Sequence, residues 1–330
     1  MTLASSTSST PLLQADNLVM HFPGPSRGLF QGRKVVRAVD NISLKINEGK
    51  TLGLVGESGC GKSTVARLLM RLLTPTSGTI LLSGQDITHM TQAALRPLRA
   101  SFQMIAQDPF SSLNPRMRID SLLSEPMKIA GITRELRQLR VAESLERVGL
   151  SRQHAFRFPH EFSGGQRQRI AIARALVLQP RLVICDEPVS ALDVSVQAQI
   201  INLLQDLQRD AGLTYLFVSH DLSVVKHIAT DVAVMYLGRI VELGPKAAVF
   251  SRPRHPYTQA LLSAIPRIGV KKKSRIVLQG DLPSPINPPS GCRFHTRCPQ
   301  AQAICREIDP ELNAGSSVHN HTVACLFPLA

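Results

Sequence analysis

The 330-residue chain has no tryptophan and three tyrosines, and aromatic residues make up only 4% of it. Proteins that grip single-stranded nucleic acid stack bases on aromatic side chains. That platform is missing, so no nucleic-acid partner is expected despite a formal net charge of +14. Acids are the minority charge, 24 against 38 Lys and Arg. A basic surface of this kind suits a small anionic ligand, anionic lipid near a docking face, or plain solubility. No uninterrupted apolar run approaches the ~18 residues that a membrane span requires. The first ten residues are rich in Ser and Thr and lack the apolar core of a signal peptide. They read as a disordered leader over 1–10. The chain is therefore expected in the cytosol, with any membrane association running through a partner. Internal repeats and sustained heptads are also absent.

Against these absences stands a dense set of phosphate-handling motifs. Residues Gly56-Glu-Ser-Gly-Cys-Gly-Lys-Ser-Thr64 contain G-x-x-x-x-G-K-[ST]. The apolar run Thr51–Val55 precedes it as a buried strand, and Val65–Leu73 follows with a helical apolar pattern. Gly56, Gly59 and Gly61 allow a tight turn whose N–H groups face phosphate oxygens. Ser58, Cys60 and Thr64 complete the cradle, and the helix N-terminus adds its positive end. Lys62 supplies a point charge for the β- and γ-phosphates. Ser63 offers a hydroxyl to Mg²⁺, an ion that keeps several waters and needs few protein ligands.

A second apolar strand, from Arg181, ends in Asp186-Glu187. Acids at the carboxyl end of a strand in a doubly wound sheet lie beside the nucleotide. Asp186 is placed to hold Mg²⁺, and Glu187 to act as general base on the attacking water. A third strand, Thr214–Ser219, delivers His220 to the same edge, for a γ-phosphate contact. Gln107 follows the strand-like Phe102–Ala106 and precedes a turn at Asp108-Pro109.

Residues Phe162-Ser-Gly-Gly-Gln166 open an amphipathic helix with Ser163 as its N-cap. This is a second anion-binding helix end, Ser163, Gly164, Gly165 and Gln166. One nucleotide needs one phosphate loop, so the economical reading gives this end to the γ-phosphate held by another subunit.

With these residues in order, the chain resembles the ATP-binding subunit of an ABC transporter. The matching motifs are the Walker A loop, the Q-loop Gln107, the signature at 163–166, Walker B ending at Asp186, the D-loop Ser190–Asp193 and the switch His220. Phe162 stands where the family usually has Leu, at a packing position. The resemblance implies two ATP sites per dimer, each built from one subunit's Walker motifs and the other's signature. It implies that Gln107 reaches the Mg²⁺, that Asp193 serves the composite site, and that Phe22 stacks on adenine. It also implies an α/β P-loop core with an antiparallel β subdomain and a helical subdomain over about 111–162. The loop 111–117 and the helix after it are expected to meet a permease. A translation-type ABC protein would carry two cassettes, and a chromosome-type one a long coiled coil between its Walker motifs; neither pattern is present.

Beyond about residue 245 prolines interrupt any long helix, and only Thr258–Ala264 reads as helical. Four of the six cysteines fall there: Cys292, Cys298, Cys305 and Cys325. In a cytosolic chain such a cluster suggests a metal site more than disulfides. The gaps are wider than zinc pairs favour, whereas iron–sulfur clusters accept varied spacing. A cluster, zinc, and free or partly paired thiols all stand as readings, with His295, His319 and His321 as reserve ligands. The segment Gly291–Pro299, with His255-Pro-Tyr257, is similar to the C-terminal region of oligopeptide and dipeptide ABC ATPases. In the dipeptide branch that resemblance implies a [4Fe-4S] cluster.

The expected organisation is thus an ATPase domain over 11–250 and a C-terminal peptide-transporter-type region over 251–330. Residues 56–106 are assigned to the first half of the nucleotide core, and a hairpin is expected around Gly238. Lys271–Arg275 is read as a solvated linker. The function expected is ATP hydrolysis that energises uptake of di- or oligopeptides, with nickel or another small solute as the rival cargo. The expected partners are a second ABC ATPase, forming a heterodimer, two permeases and, indirectly, a peptide-binding protein. The expected location is the cytoplasmic face of the inner membrane.

Overall fold

In the computed structural model, residues 10–24, 34–108, 112–265, 276–312 and 321–330 are described. The leader up to residue 9, most of the basic loop 23–35, Ser111, the linker Lys271–Arg275 and His319 lie outside them.

The elements run β1 (Leu13–Pro23), β2 (Val35–Ile46), β3 (Thr51–Val55), α1 (Lys62–Leu69), β4 (Ser77–Leu82), β5 (Gln85–Asp86), α2 (Gln92–Leu95) and β6 (Phe102–Ile105). They continue with α3 (Ile119–Ile129), α4 (Arg134–Arg147), α5 (Gly164–Leu176), β7 (Leu182–Asp186), α6 (Val194–Ala211), β8 (Thr214–Ser219), α7 (Leu222–Ile228), β9 (Asp231–Tyr236) and β10 (Arg239–Pro245). The C-terminal region adds α8 (Lys246–Ser251), α9 (Pro256–Ser263) and the short β11 (Thr322–Val323).

Among the described residues these strands form two sheets. One is antiparallel, in the order β2-β1-β4-β5. The other runs β11-β10-β9-β3-β8-β7-β6, parallel from β9 to β6, with β10 and β11 antiparallel at one edge. Side chains alternate across a strand, and the larger sheet uses both faces. Leu182 and Ile184 of β7 join the core shared with the antiparallel sheet and α1. Val183 and Cys185 join the opposite core, with the helices α3 to α7. A parallel sheet covered on both faces reads as continuous apolar runs, which is how β3, β7 and β8 are legible in the sequence.

One assignment needs correction. Residues 77–86 do not belong to the nucleotide core, because β4 and β5 pair into the antiparallel sheet, β4 directly with β1. Within β1 itself the buried face changes phase. Leu13 and Ala15 are buried before Asn17, and Leu18 after it. Asn17 takes a left-handed φ of 48° at the register shift between Ala15 and Leu18, the signature of a bulge. The expected helical subdomain forms α3 and α4, and the hairpin at Gly238 joins β9 to β10 as expected.

The C-terminal region is stitched to the core rather than hung from it. β11 pairs with β10 through Glu242↔Val323 and Leu243↔Thr322. Helix α9 begins at Pro256, where its ring is pre-set for the first turn. Tyr257 of α9 and Phe294 pack edge-on against Tyr236 of β9, with ring centroids 4.7 and 5.2 Å away. All three tyrosines of the chain are fully buried, and two of them make this joint. Glu242 is also fully buried. Its carboxylate accepts the N–H groups of Arg254 and His255 at 2.7 and 3.0 Å and lies 2.7 Å from His321 Nε2. His321, a reserve metal ligand by sequence, is therefore committed to this clasp.

Because Glu242 joins β10, β11 and the turn before α9, Glu242→Ala strands three polar groups at once. The expected cost is about 3 kcal/mol of stability, read by urea unfolding. An unchanged midpoint would show that the clasp does not hold the region down.

Candidate nucleotide site

β3 is buried along its whole length and ends at Gly56, where the chain turns toward α1. Gly61 has φ 107°, and a Cβ there would sit 2.2 Å from the Ala38 carbonyl oxygen. Only glycine fits, and the loop closes directly onto β2. Lys62 is buried, and its ammonium donates to the carbonyls of Gly56 and Glu57 at 2.9 and 3.0 Å. Those bonds hold the charge at the mouth of the loop. Ser58, Gly59, Cys60, Gly61, Lys62, Ser63 and Thr64 line one cavity of about 300 Å³ together with Gln107 and Glu187.

The Ser63 hydroxyl donates to Asp186 Oδ1 at 2.9 Å. Burial pushes the Asp186 carboxyl above its usual range, opposed by the Ser63 hydrogen bond. A partly desolvated acid beside a hydroxyl fits the ligand set for a hydrated Mg²⁺. Glu187 has a left-handed φ of 48°, a strained conformation for a non-glycine residue. Its carboxylate oxygen Oε2 lies 3.1 Å from His220 Nδ1 and 3.3 Å from Gln107 Nε2. Three separate strand ends thus deliver Gln107, Glu187 and His220 to one point.

The signature lies elsewhere. Ser163 caps α5 in a reciprocal box: it accepts from the Gln166 N–H at 3.3 Å, and Gln166 Oε1 accepts from the Ser163 N–H at 3.0 Å. Ser163, Gly164, Gly165 and Gln166 are not among the residues lining the cavity. Asp193 is exposed before α6 and its side chain makes no capping bond. Phe162 is buried, edge-on to His154 at 5.3 Å, as a packing residue should be. Phe22 is half-buried and pairs across strands with Val36, which lines the cavity while Phe22 does not.

Sequence reasoning missed the walls contributed from a distance. Pro285 lines the cavity, and its carbonyl accepts the Arg37 N–H at 3.0 Å. No local pattern marks a proline-rich segment as one wall of a site made 200 residues earlier in the chain.

The four tail cysteines are free thiols that line a second, small pocket with His255, His295, Phe294 and Phe327. Burial pushes the Cys292 thiol up to about 11, and burial also raises those of Cys298 and Cys325. Among the described residues no group of three or more His, Cys, Asp or Glu side chains could hold a metal ion. The expected metal centre is therefore not preformed. Single-ion zinc ligation would draw four thiolates to within about 4 Å of one another, and burial of Cys292, Cys298 and Cys325 opposes their deprotonation.

Among the described residues no helix is long and apolar enough to cross a membrane. Residues 39–190 match the ABC transporter family, and residues 241–305 match the oligopeptide/dipeptide transporter C-terminal region. The chain is 54% identical over 321 residues to the oligopeptide transport ATP-binding protein AppF of Bacillus subtilis, covering 95% of this chain and 96% of the relative. It is 50% identical over 314 residues to the dipeptide transport ATP-binding protein DppF of Escherichia coli, covering 94% of each. Among solved structures, the dimeric ATP-binding cassette MJ0796 bound to ADP and Pi superposes with a TM-score of 0.63 at 26% identity, over 71% of this chain and 98% of that one. CbiO1 of Clostridium perfringens gives 0.64 at 28% identity, over 73% of this chain and 91% of that one. With the cradle, the strand-end acids and the tail in place, the chain belongs to the ATP-binding proteins of the ABC transporter family that carry the oligopeptide/dipeptide C-terminal region.

Proposed function

We propose that the chain hydrolyses ATP to energise uptake of di- or oligopeptides through membrane permeases, from the cytoplasmic face of the membrane. The carrying observation is the convergence of Gln107, Glu187 and His220 at the mouth of the phosphate cradle. Lys62 would exchange its loop carbonyls for phosphate oxygens. Ser63 and Asp186 would hold Mg²⁺ with Gln107, and the ion would neutralise charge on the phosphates. Glu187 takes the proton of the attacking water, and His220 orients that carboxylate. Phe22 is assigned to the adenine face, supported by its pairing with Val36 at the cavity.

The signature residues 163–166 and Asp193 are assigned to the site of a second subunit. That none of them lines this chain's own cavity supports that reading. A different ATPase is proposed as the partner, with two permeases and a peptide-binding protein beyond them. Closure of the pair on ATP would move α3 and α4 through Gln107 and so move the permeases.

The four tail thiols are proposed to hold an iron–sulfur cluster, supported by the placement of all four around one largely apolar pocket. Such a group would supply a redox-active or stapling centre, and loading it requires the thiols to deprotonate.

Three measurements test these assignments. Glu187→Gln should retain ATP binding, accumulate a closed dimer, and hydrolyse more than about 100-fold slower; a wild-type rate would remove Glu187 as the base. Asp186→Asn should abolish Mg²⁺-dependent turnover without lowering stability. The sign follows from the raised carboxyl: ionisation above the unfolded pKa costs folding energy, and Asn removes that cost. A clear loss of stability near neutral pH would contradict it. Anaerobically purified chain should carry about four iron and four sulfide per polypeptide; protein with neither would leave the thiols free.

A further inference from the structure

Glu57 follows Gly56 in the phosphate loop and does not itself line the nucleotide cavity. Every polar group it has is nonetheless engaged. Its carbonyl accepts from the Lys62 ammonium at 3.0 Å and the Cys60 N–H at 3.3 Å. Its N–H donates to the Tyr257 hydroxyl at 2.9 Å. Its carboxylate accepts two parallel bonds from the Arg297 guanidinium, at 2.7 and 3.1 Å. Two of these partners come from the C-terminal region, 200 and 240 positions away.

We propose that Arg297 is a positioning residue of the ATP site, fixing the first turn of the phosphate loop through Glu57 so that the C-terminal region forms part of the cradle. The inference rests on the ATP-binding reading of that loop. A forked Arg–carboxylate pair fixes orientation as well as distance. The Arg297 side chain is only 9% exposed and that of Glu57 28%, so solvent and salt reach the pair mainly from the carboxylate side. Rotation of the 56–57 peptide would shift the carbonyls that hold Lys62 and the N–H groups beyond them. Tyr257 restrains the same peptide from its N–H side. Arg297 is anchored in turn, with its guanidinium carbon 6.0 Å from the Tyr236 ring centroid. Nearby, Arg293 bonds Asp40 of β2 and the Leu237 carbonyl, pinning the same tail segment beside the loop.

Because Arg297 touches the loop and not the reacting atoms, its loss should weaken ATP binding evenly in ground and transition states. Full-length Arg297→Gln should raise KM for ATP about five- to tenfold with kcat within about twofold of wild type, measured below its melting temperature. Arg297→Lys should recover part of the loss, since it keeps the charge without the fork. Glu57→Gln should show a similar KM rise, and the double variant should cost little more than either single one. A folded Arg297→Gln with wild-type KM, or one whose kcat falls while KM stays put, overturns the proposal. If Arg297→Gln does not fold, a wild-type KM in Glu57→Gln overturns it equally. A wild-type chain that binds no ATP would instead bring down the nucleotide reading itself.

Discussion

Everything in the site hangs on one turn, the passage from the buried β3 to α1. Gly61 closes it against the Ala38 carbonyl, and buried Lys62 is held by the carbonyls of Gly56 and Glu57. Before any ligand arrives, the loop is already shaped and its charge already inside. Preorganisation of this kind lowers the ordering cost of binding and leaves electrostatics to act at full strength. The strain at Glu187 belongs to the same economy. A left-handed φ at a non-glycine residue is tolerated because β7, the Val218 carbonyl and the bonds to His220 and Gln107 over-determine it.

The C-terminal region gives that turn its outer support. Tyr236, Tyr257 and Phe294 make an aromatic joint, Glu242 ties β10 to β11 and the turn before α9, and Arg293 reaches β2. Pro285 walls the cavity from the same region. Cys292, His295 and Cys298 of the segment that carries Arg293 and Arg297 line the thiol pocket, while those two arginines reach β2 and the phosphate loop.

Legibility in the sequence followed locality. The cradle, both strand-end acids, His220 and the Ser163 cap each sit within one strand–turn–helix stretch, so spacing alone found them. Phe162 reads as packing because the family it resembles usually has Leu there, and it is buried. The path of β4 was not legible. Its partner β1 lies some 60 residues away, and no pattern in 77–82 distinguishes one sheet from the other. The bulge at Asn17 breaks the period-two pattern of β1 between Ala15 and Leu18. β11 is two residues long and exists only because β10 offers an edge. The pairing of Arg297 with Glu57 was not legible either, since nothing near one in the chain names the other. His321 looked like a metal ligand until a buried Glu242 claimed it.

The most direct measurement is a structure of the full chain with Mg²⁺ and a non-hydrolysable ATP analogue. Lys62 is expected to leave the Gly56 and Glu57 carbonyls for the β- and γ-phosphate oxygens, with Ser63 and Asp186 at the metal and Arg297 still forked on Glu57. Nucleotide bound away from the loop, or a Lys62 that stays on its carbonyls with phosphate present, would contradict the assignment.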